Sequence, residues 1–185
     1  MSVRNEDCTL YPETLLEPGV AASPERHWMV LYTKARQEKA LARDLFHHEV
    51  PFYLPLVRKH SLRRGRRAAA QTPLFSGYLF LFASEAERIY SLTTNRISRI
   101  LVVSDVDRFV YELRHLQQLI ASKAPLTIES RLMPGKRVRV RQGPFAGIEG
   151  TVLIRRGETR LLVSINFLQQ GASVEIDDFQ LEPID

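Results

Sequence analysis

Pro134-Gly135-Lys136-Arg137-Val138-Arg139-Val140-Arg141-Gln142-Gly143-Pro144-Phe145-Ala146-Gly147-Ile148-Glu149-Gly150-Thr151-Val152-Leu153-Ile154 is the stretch that decides the fold of the C-terminal part. Val138 and Val140 alternate with Arg137, Arg139 and Arg141, the period-two pattern of a half-buried strand. Gly143-Pro144-Phe145-Ala146-Gly147 then breaks the chain with residues suited to a tight turn. The alternation returns in Val152 and Ile154, Leu161 and Val163, and Val174 and Ile176, with Gly157 and Gly171 between strands. The pattern predicts five short strands and a small closed all-β barrel over residues 134–185. The glycine and proline content keeps this segment β, because each glycine in a helix costs about 1 kcal/mol and each proline about 3.

Upstream the periodicity changes. Trp28 to Tyr32 is a short apolar run, read as a buried strand. Residues 35–50 carry Leu41, Leu45 and His48 on one helical face and stop at Pro51. Phe52 to Val57 reads as a strand interrupted by Pro55, Tyr78 to Phe82 and Ile97 to Val103 as further strands, and Glu85 to Leu92 as a short helix. Residues 107–120 are a clear helix that Asp105 or Asp107 would cap. This order predicts an α+β domain over 27–122, an antiparallel sheet with helices. A linker over 123–133 would join it to the barrel, and residues 1–26, with three prolines and five acids, would be a flexible tail.

The chain has 185 residues, 44% hydrophobic and 25% charged, an ordinary globular balance. The net charge of +5 is uneven. Residues 1–26 carry two bases and five acids, residues 27–133 carry 17 and 9, and residues 134–185 carry seven of each. The positive field belongs to the middle segment and points to a polyanion partner or to a merely solvated surface. The lone Cys8 excludes an internal disulfide and fits a reducing compartment. No signal-peptide pattern opens the chain, and no apolar run approaches the roughly 20 residues of a membrane span. The expectation is a soluble, cytoplasmic monomer without membrane association. No His pair at helical spacing and no phosphate-cradling glycine loop stands out, so neither metal, cofactor nor catalytic centre is expected.

The turn-and-strand pattern from Pro134 to Val152 resembles a KOW motif. With Trp28-x-Val30-Leu31-Tyr32 and Pro73-Leu74-Phe75-Ser76-Gly77-Tyr78-Leu79-Phe80 upstream, residues 28–185 resemble the NusG family of transcription elongation factors, closer to its RfaH-like specialised paralogues. The resemblance implies an N-terminal NGN domain that binds the clamp helices of RNA polymerase, and a KOW domain that recruits a second partner, a small-subunit ribosomal protein or rho. It implies elongation or antitermination activity and no enzyme. In RfaH-like members the second domain masks the first; Arg160 resembles one partner of the masking ion pair, while Thr72 stands where the other is acidic. The alternative, on the KOW motif alone, is an RNA- or ribosome-associated structural protein.

Four groups of candidate residues follow. Tyr32, Phe75, Tyr78 and Phe80 either form an apolar groove for a polymerase helix or fill the core. Ser91 and Thr93 resemble a polymerase-facing stretch, or simply terminate a helix. Arg58, Lys59, Arg63, Arg64, Arg66 and Arg67, with no acid among them, form a hairpin tip or loop. The resemblance implies that they contact upstream or non-template DNA in the elongation complex; otherwise they form a solvated turn. Phe145 and Phe167 are the candidate partner-docking residues of the KOW domain, or caps on the ends of a barrel too small to bury them.

Overall fold

The run His-Trp-Met-Val-Leu-Tyr-Thr is apolar on both strand faces, so it needs cover on both, and it forms the interior of a sheet. The computed structural model describes residues 8–19, 23–63, 66–129, 135–177 and 180–184. The chain divides into two compact units, Met1–Ser104 and Asp105–Asp185.

The first unit is built from β1 (Leu10–Tyr11), β2 (His27–Thr33), α1 (Glu38–His47), β3 (Phe52–Tyr53), β4 (Leu56–Arg63), β5 (Arg66–Pro73), β6 (Tyr78–Ala83), α2 (Glu85–Thr93) and β7 (Ile97–Val102). Its antiparallel sheet runs β1-β3-β6-β2-β7. Met29, Leu31, Leu79 and Leu81 join Leu41, Ala42 and Leu45 of α1 in one buried cluster. Helix α1 starts later than the sequence pattern predicts, because Arg36 takes a left-handed φ of +60 just before it. It ends in a Schellman arrangement. Glu49 is left-handed, its N–H donates to the Phe46 carbonyl, and the Val50 N–H donates to that of Leu45. Pro55 splits the expected strand 52–57 into β3 and the start of β4. Residues 10–16, expected as part of the flexible tail, are instead structured. Leu10 and Tyr11 pair with β3, Leu15 and Leu16 are buried, and Tyr11 meets Phe46 edge to face. Their apolar residues lie across a strand and a turn, so no single period announces them.

The second unit holds α3 (Val106–Ala121), β8 (Thr127–Glu129), β9 (Arg137–Val140), β10 (Glu149–Arg155), β11 (Glu158–Ile165), a 3-10 turn (Asn166–Leu168), β12 (Gln170–Glu175) and β13 (Leu181–Pro183). Asp105 caps α3, accepting from the Arg108 N–H. The sheet order is β13-β9-β10-β11-β12-β8, all antiparallel. The predicted α+β part followed by a β-rich, barrel-like part is the architecture observed. The sheet gains a sixth strand, because Thr127–Glu129, inside the expected linker, pairs with β12. Its core includes Val138, Val140, Leu161, Val163, Val174 and Ile176, six of the alternating positions of the sequence pattern, joined by Ile148 and Ile165; Val152 is only half-buried and Ile154 is 76% exposed, against that pattern. Gly150 and Gly171 have no room for a side chain: a Cβ would lie 2.4 Å from the Leu162 carbonyl oxygen and 2.5 Å from that of Val163. No helix among the described residues is long and apolar enough to cross a membrane.

Candidate functional site

Tyr32 is the last residue but one of β2, and the pairing of β2 with β7 slips immediately after it. Such a bulge bends the strand and re-aims a side chain. Tyr32 is 43% exposed although Met29, Val30 and Leu31 before it are buried. Across the ladder it faces Tyr78 on one side and Arg99 on the other. The two tyrosine rings lie 5.2 Å apart and tilted. Beneath them a turn carries the chain from β5 into β6. The Tyr78 N–H donates to the Phe75 carbonyl, and Gly77 has φ +85, which a side chain would strain. Its N–H donates to the Glu38 carboxylate at 2.6 Å, and its carbonyl accepts from Thr33. Glu38 sits in the first turn of α1, where the helix dipole favours an acid. The Tyr32–Tyr78 pair therefore stands on a turn clamped from two elements.

Phe75 and Phe80, expected as groove candidates beside these tyrosines, are both fully buried. Phe80 packs against Phe75 at 6.3 Å and Tyr53 at 6.1 Å. Alternation along β6 puts Tyr78 and Phe80 on one face, but Tyr78 lies at the strand end and Phe80 in its interior. Ser91 is also fully buried, its hydroxyl donating to the Arg88 carbonyl, so the helix-terminating alternative describes it. Thr93 is exposed and donates to the Tyr90 carbonyl.

The arginine-rich segment is a two-stranded antiparallel hairpin, β4 with β5, from Leu56 opposite Pro73 to Arg63 opposite Arg66. It belongs to neither larger sheet. Arg58 and Lys59 are exposed and, as neighbours on a strand, point to opposite faces. Arg64 lies outside the described residues, as do the side chains of Arg63, Arg66 and Arg67.

In the second unit Phe145 and Phe167 part company. Phe145 is buried, 7% exposed, inside a turn closed by Gly147 N–H to the Val140 carbonyl and Ile148 N–H to the Phe145 carbonyl. Phe167 sits on the 3-10 turn, 38% exposed, edge-on to Phe109 at 6.2 Å. Glu112 of α3 accepts from both the backbone and the side-chain nitrogen of Asn166 at 2.9 Å. Among the described residues no group of three or more His, Cys, Asp or Glu side chains is placed to hold a metal ion.

The family model described as transcription termination factor nusG matches residues 26–134, more than half of the chain. The chain belongs to the NusG family. Similarity to individual NusG proteins extends further than the matched segment. The transcription termination/antitermination protein NusG of Escherichia coli strain K12 is 25% identical over 187 residues, covering 88% of this chain and 99% of that protein. That of Salmonella typhi is 25% identical over 185 residues with the same coverage. That of Vibrio vulnificus is 24% identical, covering 90% of this chain and all of its own length. As a NusG-family member the chain is a transcription factor of the termination/antitermination class and not an enzyme.

Two residues singled out by the NusG resemblance make their bonds within their own units. Thr72 donates to the Val57 carbonyl, and Arg160 is buried among Ser173 and Thr127. Sequence reading missed Arg99, which only the ladder register sets beside Tyr32. It also missed Glu38, which looks in sequence like one more exposed helix acid but is buried beneath the Gly77 turn.

Proposed function

We propose that this NusG-family chain binds transcribing RNA polymerase at its clamp helices through Tyr32 and Tyr78 and acts as an elongation or antitermination factor in the cytoplasm. The observation that carries the reading is the tyrosine pair, Tyr32 exposed and Tyr78 half-buried, on a turn at Gly77 fastened by Glu38 and Thr33. Exposed aromatics on a fixed scaffold suit the groove that receives an amphipathic helix. Phe75 and Phe80 pack on each other in the core, and Arg99, opposite Tyr32 in the ladder, is a polar neighbour of the pair.

The basic hairpin is the second contact, to upstream or non-template DNA. An isolated two-stranded ribbon is marginally stable by itself, and six cations without an acid destabilise it further. Phosphate oxygens supply the missing counter-charge without regard to sequence. In the C-terminal part, net charge zero favours a protein partner over nucleic acid, and Phe167 is the exposed aromatic for docking a small-subunit ribosomal protein or rho. Phe145 shapes the turn from within.

The test is co-purification with RNA polymerase. Tyr32→Ala with Tyr78→Ala is expected to abolish it while the circular dichroism spectrum is unchanged. Undiminished polymerase capture by the folded double variant, or co-sedimentation with ribosomal subunits in place of polymerase, refutes the assignment.

A further inference from the structure

A cleft of about 410 Å³ opens in the second unit, with α3 as one wall and β9, β10 and β11 as the other. A volume of that order holds a small organic ligand rather than a single ion. Two acids line it, Glu112 of α3 and Glu149 of β10, and both already accept several hydrogen bonds. Glu112 is buried and accepts from Nε of Arg108 at 3.1 Å and from the backbone and side-chain nitrogens of Asn166 at 2.9 Å. Glu149 accepts from the Tyr111 hydroxyl and from two nitrogens of Arg139.

The donors of the cleft are in the opposite condition. Arg108 and Arg137 stand on its two walls, each with a side chain more than half exposed. Arg108 uses only its Nε, and Arg137 comes no closer to Glu149 than 3.7 Å. Among the described residues the terminal nitrogens of both guanidinium groups therefore make no hydrogen bond. Thr151 is the partner of Arg137 across the β9–β10 ladder, which puts the two side chains on one face. The hydroxyls of Thr151 and of Ser164, both half-buried in the lining, also have no hydrogen bond among the described residues.

A cleft whose acceptors are engaged and whose donors are open selects an anion. Forked guanidinium groups match the oxygens of a phosphate, a contact that is charge-assisted and can be bidentate. The Tyr111 and His115 rings, 4.3 Å apart, line the same cleft and offer a flat face that a bare phosphate ion would leave unused.

We propose that this cleft binds a small phosphorylated ligand carrying a flat ring, of the nucleoside monophosphate class. Arg108 and Arg137 hold the phosphate, Tyr111 and His115 pack on the base, and the Thr151 and Ser164 hydroxyls meet the sugar. Such a ligand touches α3 and the sheet together, so its binding ties the helix to the strands. The site uses none of the residues assigned to polymerase, to DNA or to a partner of the C-terminal part.

The experiment is calorimetric titration of the full chain with AMP, GMP, CMP and UMP, with the matching nucleosides, and with inorganic phosphate. At least one monophosphate is expected to bind at one per chain, at least tenfold tighter than its nucleoside and than phosphate. Arg108→Gln with Arg137→Gln should weaken it at least tenfold. Tyr111→Leu should remove the advantage of the nucleotide over phosphate, and Tyr111→Phe, which keeps the ring, should retain it. Lys123→Gln with Arg156→Gln removes the same charge from exposed positions outside the cleft and should leave the affinity within twofold. Circular dichroism confirms that each variant is folded. Saturable binding of none of the four monophosphates overturns the proposal, as does a nucleoside or phosphate binding as well as the nucleotide. A loss as large in the Lys123, Arg156 variant as in the Arg108, Arg137 variant overturns it too, as the mark of general attraction to a basic chain. No polymerase enters the assay, so its failure leaves the proposed function untouched.

Discussion

Replacing Gly77 by alanine tests the support of the tyrosine pair through two separate penalties. The residue holds φ +85, and an L side chain there costs roughly 1–2 kcal/mol. The added Cβ would lie 3.0 Å from Cε2 of Tyr32, so the ring must move. Tyr32 is 43% exposed and can turn away, at about 0.5–1.5 kcal/mol if it leaves its rotamer by some 30°. Together Gly77→Ala should destabilise the chain by about 1.5–3.5 kcal/mol in urea unfolding. In a Tyr32→Ala background only the backbone part remains, so the cost should fall by about 0.5–1.5 kcal/mol, a coupling within reach of a double-mutant cycle. The displaced ring should also weaken polymerase binding at least fivefold. Tyr32→Ala, removing an interface aromatic outright, should weaken it by about 2 kcal/mol, roughly 30-fold in Kd. An equal cost of Gly77→Ala in both backgrounds would refute the steric argument. Polymerase affinity within twofold of the unaltered chain would refute the role of the ring in binding.

Changing Arg63, Arg64, Arg66 and Arg67 together to Gln should flatten the dependence of elongation-complex binding on salt. The log–log slope should fall by about 0.9 for each phosphate no longer neutralised on duplex DNA, or 0.7 on a single strand. An unaltered slope would leave the hairpin a solvated arm. Phe145→Ala should lower stability by about 3–5 kcal/mol in thermal or urea unfolding, because the ring is buried in its turn. Phe167→Ala should leave a folded chain with weakened capture of ribosomal subunits or rho, and a reversed pattern in the pair would overturn both placements. Glu87 accepts from Arg26 at 2.6 Å and completes a capping box with Ser84, and Arg26 chiefly holds its carboxyl below the usual range. Its stabilisation is therefore present above its unfolded value, about 4.3, and is lost as pH falls through the lower folded one. Glu87→Gln should remove that part of the acid sensitivity in pH-dependent unfolding, along with about 1 kcal/mol at neutral pH.

Much of this molecule was legible from local sequence, where the deciding interactions are themselves local. The Val–Arg alternation of residues 137–141 announced a half-buried strand. Asp105 or Asp107 announced a helix start, which the structure assigns to Asp105, and the Gly–Pro spacing around Phe145 announced a tight turn. The arginine-rich run read correctly as part of a hairpin because a glycine between two basic pairs suits a reversal. The candidate site was harder to read. Tyr32, Tyr78, Phe75 and Phe80 are alike as residue types, and only their places in the chain separate exposed Tyr32 and half-buried Tyr78 from the two buried phenylalanines.

By itself the sequence determined the α+β part, the β-rich part that follows it, the NusG resemblance, and the charge of the hairpin. Each is a matter of period, turn chemistry or composition along the chain. The tertiary structure alone decided that Leu10–Tyr11 and Thr127–Glu129 are strands, that Glu38 is buried under Gly77, and that Arg99 stands beside Tyr32. It alone decided that Arg160 is buried. The physical reason is the same in each case. A two- or three-residue strand carries no period, and a charged side chain carries no mark of its burial. Both are set by which distant strand lies alongside and in what register, since a shift of one residue in pairing turns every side chain to the opposite face.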